Sequence, residues 1–415
     1  MKLIKLEIKG LFDLFDYVIP LSNSENLTII TGPNGFGKTM ILNIIDSFFN
    51  RNFSFFEKLS FKEINFFFEG SKYLNIIKNS ESNQEYDVKF SLSEEQVLIN
   101  EFLYIGRDRY ESNLANTPIP SNKPFRDFFK AFDNDHEKWL NDANVKNKEL
   151  STLIESIDVH LIKEQRLFQK ITKKNGWNSN EGDFQFSETI QEYAKELSSI
   201  INTTINDSFK ISQELDSSFP KRLLNEHSLL TELEFKNRFD KLKTKQEKLK
   251  KFGLSESLQE VPNSFIDENA KVLLVYLNDS EKKSSVFDDL LERLELFTNI
   301  LNNRRFTYKS IKIDKEKGFV FVTSKDKPLN LIDLSSGEQH EVILLYELIF
   351  KAKPNTLVLI DEPEISLHVT WQKEFLNDLI KIIELQKIQV IIATHSPQII
   401  NNRWDLTINL EKSDS

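Results

Sequence analysis

Cysteine is absent from this chain. That excludes a disulfide framework and any thiolate metal site, and points to a reducing, cytoplasmic setting. No apolar run approaches the roughly 20 residues a membrane-spanning helix needs. The opening MKLIKLEIKGLFDLFDYVI interleaves charge with apolar residues, unlike a secretory signal. Glycine and proline are scarce, 11 each in 415 residues, which disfavours disordered and low-complexity classes. The six histidines show no zinc-binding spacing. Positive charge is not in excess either: the formal net charge of −10 argues against a generally nucleic-acid-binding surface, while leaving room for a local basic patch. What the chain has in quantity is phenylalanine, 34 residues within a hydrophobic fraction of 39%, enough to fill the cores of two or three compact units.

Alternation from Lys2 to Ile8 reads as a strand, and a second strand, Leu27 to Thr31, runs into GPNGFGKT. MILNIIDSFF is apolar enough for a buried helix. INFFFEG, YLNIIK and YDVKFSL, separated by polar turns, predict an antiparallel meander. Residues 107–150 read as loop with one or two helices, and Ile157 to Ile162 as a strand ending in KEQRL. From about Phe186 the period turns helical, with Ile190, Tyr193, Leu197, Ile200 and Ile201 on one face. A second helical stretch sets Phe235, Phe239, Leu242 and Leu249 at heptad-compatible steps. SSFPKRLL is expected to break these arms apart, giving either a projecting coiled-coil hairpin or bundle helices packed on the globular part. FTYKSIKI and GFVFVT return to strand, and EVILLYELIF is a helix that Pro354 closes. TLVLI, QVIIAT and DLTINL complete a set of strands alternating with helices. The expected class is α/β, divided into an N-terminal lobe over 1–170, a helical insertion over 171–300 and a C-terminal lobe over 301–415.

Between the strand and the helix, Gly32, Pro33, Asn34, Gly35, Phe36, Gly37, Lys38 and Thr39 fit G-x-x-x-x-G-K-[ST], a phosphate loop. Backbone N–H groups wrap the phosphates, Lys38 reaches the β and γ oxygens of ATP, and the Thr39 hydroxyl ligates Mg²⁺. TLVLIDEPE is an apolar strand whose carboxyl end presents Asp361 and Glu362, where ligands of an α/β sheet collect. Asp361 suits the Mg²⁺ shell, and Glu362 can orient and deprotonate the attacking water. QVIIATHSPQ sets His395 at the end of another strand, within reach of a γ-phosphate, and KEQRL offers Gln165, an amide able to bind Mg²⁺ and the water. LSSGEQH, Leu334 to His340, places small residues at a helix mouth, an anion site by its free N–H groups.

The order of these parts resembles the ABC-type P-loop ATPases of the SMC, Rad50, RecF and overcoming-lysogenization group, over about residues 1–170 and 300–410. The resemblance implies that LSSGE is the signature loop, with Ser335, Ser336, Gly337 and Glu338 facing the γ-phosphate bound by another protomer. Ser336 replaces the first glycine of the commonest signature form. Ser366 to His368 would lie in the D-loop. A narrower likeness, in VHLIKEQRL, SQELDSSFPKRLL, IDEPEISLHVTWQ and ATHSPQIINNRWDLTINL, is to the stand-alone phage-defence ATPases that include the one of the PARIS system. It implies a homo-oligomer, at least an ATP-sandwich dimer. It also implies a nuclease or toxin partner supplied in trans, since the twenty residues after His395 are too few for a nuclease domain. DNA or a phage protein would be the trigger. The alternative within the broader group is a RecF- or Rad50-like DNA-repair ATPase.

Two features are left without chemistry. Asp133 and Asp135 form a D-x-D in a polar, solvated stretch without metal-site spacing. Residues 236–251 hold eight basic against two acidic residues, which fits a solvated helix face or one that tracks a phosphate backbone or an acidic partner.

Overall fold

The computed structural model describes residues 1–21, 23–79, 87–95, 97–104, 148–163, 167–172, 184–228, 230–255, 265–304, 306, 308–367 and 369–412. They form two compact units, Met1–Glu164 with Ala352–Ser415, and Gln165–Lys351. The helices expected over 171–300 thus share a unit with residues 301–351, while the chain from Ala352 joins the N-terminal residues. Residues 107–147, with Asp133 and Asp135, lie outside the described residues. The class is α/β, as the alternation of strands and helices implies.

The first unit holds two sheets. Alternating burial folds β1 (Leu3–Leu11) and β2 (Phe15–Pro20) into a hairpin. The expected meander, β4 (Glu63–Phe68), β5 (Lys72–Lys78), β6 (Val88–Glu94) and β7 (Val97–Tyr104), extends it to an antiparallel sheet of order β2-β1-β4-β5-β6-β7. The second sheet is parallel, from β3 (Leu27–Thr31), β8 (Val159–Ile162), β14 (Leu357–Asp361), β15 (Gln389–Thr394) and β16 (Thr407–Asn409), in the order β16-β3-β15-β14-β8. β3, β14 and β15 are buried along their whole length, which is why they read as unbroken apolar runs. Helices α1 (Lys38–Phe49), α2 (Ser54–Lys58), α3 (Lys148–Glu155), α9 (Val369–Gln386) and α10 (Pro397–Ile400) complete the unit.

α1 ties the two sheets into one core. Leu6, Ile8 and Phe66 of the antiparallel sheet, Ile41, Ile45 and Phe48 of α1, and Leu359 and Ile391 of the parallel sheet belong to the same buried cluster. The abundant phenylalanines concentrate there: the Phe48 ring lies 5.1 Å from those of Phe49 and Phe66, and Phe90 lies 5.1 Å from Phe53 and 5.7 Å from Phe56.

In the second unit, β9 (Phe168–Thr172) and β10 (Phe184–Glu188) pair antiparallel and lead into α4 (Thr189–Asn225). α5 (Glu232–Lys251), α6 (Ala270–Ser285) and α7 (Asp288–Arg304) follow. Then come a sheet of β11 (Lys309–Asp314), β12 (Gly318–Thr323) and β13 (Pro328–Leu329), and α8 (Ser336–Tyr346), continued by a π turn over Glu347–Lys351. The β11–β12 turn docks on α4, where the Ser198 hydroxyl donates to the carbonyls of Lys315 and Glu316 at 2.8 and 2.9 Å.

SSFPKRLL does not break the helix: Pro220 lies inside α4, and the interruption falls after Asn225. Proline removes one N–H and crowds the preceding turn. Side chains bind the carbonyls there, Ser217 and Ser218 donating to Glu214 O at 2.9 and 2.8 Å and Arg222 Nη2 to Leu215 O at 2.7 Å. Arg222 is itself held by Asp279 of α6, with Nη2 2.7 Å from Oδ2. The arms are therefore joined through α6: Phe235 and Leu242 of α5 pack with Leu273, Leu274 and Leu277 in a bundle.

Half of the basic run on α5 is matched by acids. Lys236 pairs with Glu232 at 2.8 Å, Arg238 with Glu281 at 2.7 Å, Lys248 with Glu295 at 3.0 Å, and Lys245 with Asp288. Exposed pairs contribute little stability, but they commit these cations to neighbours within the unit.

Phe48→Ala removes the ring that touches both the strands and Phe49. It should cost about 3–5 kcal/mol in urea unfolding; a cost below about 1 kcal/mol would show that the core relaxes around the gap.

Candidate active site

The parallel sheet brings three loops to one edge. Thr31 at the end of β3 is in register with Thr394 of β15, and Ala393 with Asp361 of β14, so the chain segments that follow these strands start side by side. Gly32 to Gly37 leads from β3 into α1, with Pro33, Asn34 and Gly35 exposed. Gly37 caps α1 at φ +82°, and a Cβ there would stand 3.2 Å from the Leu11 side chain, so position 37 is confined on two counts to glycine. The loop is tethered to the antiparallel sheet, Tyr17 Oη donating to Phe36 O at 2.8 Å while the Phe36 ring packs 5.4 Å from Phe15.

Lys38 is buried and folds back over the loop, donating from Nζ to Gly32 O at 2.9 Å and Pro33 O at 3.3 Å, with Glu362 at 3.5 Å. Thr39 Oγ1 donates to Asp361 Oδ1 at 2.9 Å, closing a link between the first and last quarters of the chain. Glu362 takes a left-handed conformation, φ 43° and ψ 59°, which is uncommon for a residue with a Cβ. Its amide is fixed by Ala393 O at 2.9 Å. This backbone carries its carboxylate to His395, with Nδ1 2.5 Å from Oε2. A carboxylate only accepts, so Nδ1 carries the proton and Nε2 is left for another partner.

Burial pushes the Glu362 carboxyl above the usual glutamate range, the neighbouring Glu364 carboxylate pushes it further, and His395 opposes both. Glu362, Glu364 and His395 offer ligand atoms within 4.8 Å of one another. Glu364 was not anticipated from sequence; the second glutamate of DEPE was the available signal.

The residues fit a bound triphosphate and a hard cation. Among the described residues, and apart from the chain neighbours of Gly35 itself, no atom lies within 4 Å of where a Cβ would stand on Gly35, at φ +91°, which leaves open the cradle a phosphate fills. The Thr39 hydroxyl beside the Asp361 carboxylate is an oxygen-only donor set of the kind Mg²⁺ takes. Gln165 and His368 lie outside the described residues, as does the Ser366 side chain.

Ser335 to Glu338 belong to the second unit. Ser335 caps α8 in a reciprocal capping box, Ser335 N donating to Glu338 Oε2 at 2.8 Å and Glu338 N to Ser335 Oγ at 3.4 Å. Lys309 of β11 binds both carboxylate oxygens of Glu338, at 2.9 and 2.8 Å. Hydrogen bonds from Ser335 and this cation hold the Glu338 carboxyl below the glutamate range against its partial burial. Ser335 and Ser336 are exposed, and the amides of Ser336 and Gly337 have no partner among the described residues. The capping box therefore spares the donors nearest the tip. Ser335→Ala should lower urea stability by about 1 kcal/mol, the usual value of such a cap; no change would mean that Lys309 and Glu338 alone set the loop.

A family model described as an AAA ATPase domain matches residues 1–400. No curated protein matches the chain. Among solved structures it is similar to the Smc head domain with an extended coiled coil from Pyrococcus furiosus, bound to the C-terminal domain of ScpA. That likeness is 16% identity over 96% of this chain and 91% of the other, with a TM-score of 0.38. The SMC head domain from Thermotoga maritima is 13% identical over 96% and 91%, with a TM-score of 0.33. No helix among the described residues is long and apolar enough to cross a membrane. Because the family match runs through nearly the whole length, with the phosphate loop and Asp361–Glu362 at one sheet edge, the chain belongs to the AAA ATPase domain family.

Proposed function

We propose that this ATPase closes ATP between two copies of the chain, one supplying Lys38, Thr39, Gln165, Asp361, Glu362 and His395, the other the Ser335 loop. The observation that carries the catalytic half is the contact of Glu362 with His395 beside the Thr39–Asp361 pair. Thr39, Asp361 and Gln165 would hold Mg²⁺, which would neutralise phosphate charge when bound. The loop amides and Lys38 bind the β and γ oxygens. Glu362 takes a proton from water as its oxygen bonds to the γ-phosphorus and the bond to the bridging oxygen breaks. His395 keeps the Glu362 carboxylate oriented through Nδ1–H and, as an imidazolium with both ring nitrogens protonated, donates Nε2–H to a γ-phosphate oxygen. The uncommitted amides of Ser336 and Gly337 support the other half, since a loop with free donors and an exposed tip suits an anion brought by a second protomer.

Hydrolysis on this reading resets a conformational state, so the ATPase is a switch. The sequence stretches that resemble stand-alone phage-defence ATPases favour a cytoplasmic sensor subunit that senses an invader, DNA or protein, and releases a nuclease or toxin encoded in trans. Lys241, Lys243, Lys250 and Lys251 of α5, which the ion pairs above leave over, favour the second reading, a DNA-maintenance ATPase. Purification from the native operon separates the two. A co-purifying nuclease or toxin supports the sensor; ATP-dependent DNA binding by the chain alone, steeply lost with salt, supports the other.

Glu362→Gln should retain ATP, lower hydrolysis by about a hundredfold or more and accumulate dimers on gel filtration with ATP. A variant hydrolysing at full rate refutes the assigned base. Gly337→Trp should bind ATP with unchanged affinity yet neither dimerise nor hydrolyse; a fully active lone subunit would leave Ser335 as a helix cap only.

Burial and Glu364 raise the Glu362 pKa, so its basic form is lost on acidification sooner than that of an ordinary glutamate. The acid limb of kcat/KM should therefore lie above the usual glutamate range and move down in Glu364→Gln. A limb at the ordinary position in both proteins would detach Glu362 from the proton transfer.

A further inference from the structure

Glu364 is a buried carboxylate whose part in the proposed hydrolysis is so far confined to raising the Glu362 pKa. Its side chain is 5% exposed. Oε1 accepts from Thr394 Oγ1 at 2.5 Å, His395 N at 2.9 Å and Ser396 N at 3.1 Å. Oε2 is buried with no hydrogen-bond partner. One oxygen does the holding and the other is spare, which identifies the group as an acceptor for the 394–396 turn.

Gln372 of α9 makes the reciprocal attachment. Its Nε2 donates to Glu364 O at 3.2 Å and Leu367 O at 3.0 Å, and its Oε1 accepts from Ser396 Oγ at 3.0 Å. Thr394, Ser396 and Gln372 are all buried. Hydrogen bonds shielded from water are strong, and breaking one side leaves the other unsatisfied. The turn 363–367 and the turn 394–396 are thus fastened to each other and to α9, while His395 itself is half-exposed.

We propose that Glu364 is a positioning residue: with Gln372 it clamps the 363–367 turn to the 394–396 turn, so that Glu362 and His395 move as one body with that turn. The clamp rests on the reading of Glu362 and His395 given above only for its effect on hydrolysis. Its mechanical part stands on the hydrogen bonds alone. A displacement of residues 363–367, such as contact with a second protomer would produce, reaches the imidazole without passing through the nucleotide.

The test compares Glu364→Leu, which keeps bulk but removes the acceptor, with Glu364→Gln, which keeps a carbonyl at Oε1. Hydrogen exchange of peptides covering 391–400 in the full chain should quicken about tenfold or more in the Leu variant, the scale of one buried hydrogen bond lost, and stay near wild type in the Gln variant. Hydrolysis at neutral pH should fall at least about tenfold in Glu364→Leu with ATP affinity within about twofold, and Glu364→Leu/His395→Ala should be no slower than His395→Ala. If the Leu variant does not fold, Gln372→Leu cuts the clamp from the other side and should give the same pattern. Unchanged exchange in a folded variant overturns the clamp, as does a loss of hydrolysis additive with His395→Ala. Quickened exchange together with a fully active His395→Ala would keep the clamp and overturn instead the role given to His395.

Discussion

Parallel pairing of β3, β15 and β14 is the constraint on which the site depends. Parallel strands point their carboxyl ends the same way, and their pairing here sets Thr31 level with Thr394, and Asp361 level with Ala393 one residue before. Three turns far apart in sequence then begin at one edge: the phosphate loop, the His395 turn and the turn of Glu362. The hydrogen bond from Thr39 to Asp361 crosses this edge and joins the first turn to the third. A slip of one residue in β14 would turn the Asp361 side chain to the opposite face of the sheet.

Much of this was legible in the sequence because the relevant signals are local. A strand, a glycine loop and a helix in succession declare a phosphate loop, and Leu357–Asp361 is apolar enough to be recognised as a buried strand with acids at its end. Glu364 was not legible, since its role is defined by donors thirty residues onward in the chain, at Thr394 to Ser396. Lys309 is a similar case, its meaning arising only when β11 lies beside the start of α8. Pro220 misled for the opposite reason: the local rule that proline ends a helix is sound, but Arg222, Asp279 and the packing of α4 on α6 override it.

Charge is matched at short range on part of α5 and at the mouth of α8. Within the stretch of α5 that looks like a basic stripe in sequence, Arg238 meets an acid of α6, and Lys245 and Lys248 meet acids of α7. The Glu338 carboxylate, placed at a helix mouth where an anion would be received, is covered by Lys309 on both oxygens. Without that cation the loop would present a negative charge of its own to any incoming phosphate. The fold thus prepares the α8 mouth electrostatically with a residue from a different strand.

The tether from Tyr17 to Phe36 gives the antiparallel sheet a part in this economy of positions. Because the phosphate loop hangs by its own backbone carbonyl from β2, and β2 pairs only with β1, tension on the loop is shared with the outermost strand of the sheet. Among the described residues that strand has one unpaired edge, and its Val18 side chain is exposed. Because Tyr17 holds the loop at Phe36 O, a shift of β2 would carry the phosphate loop with it.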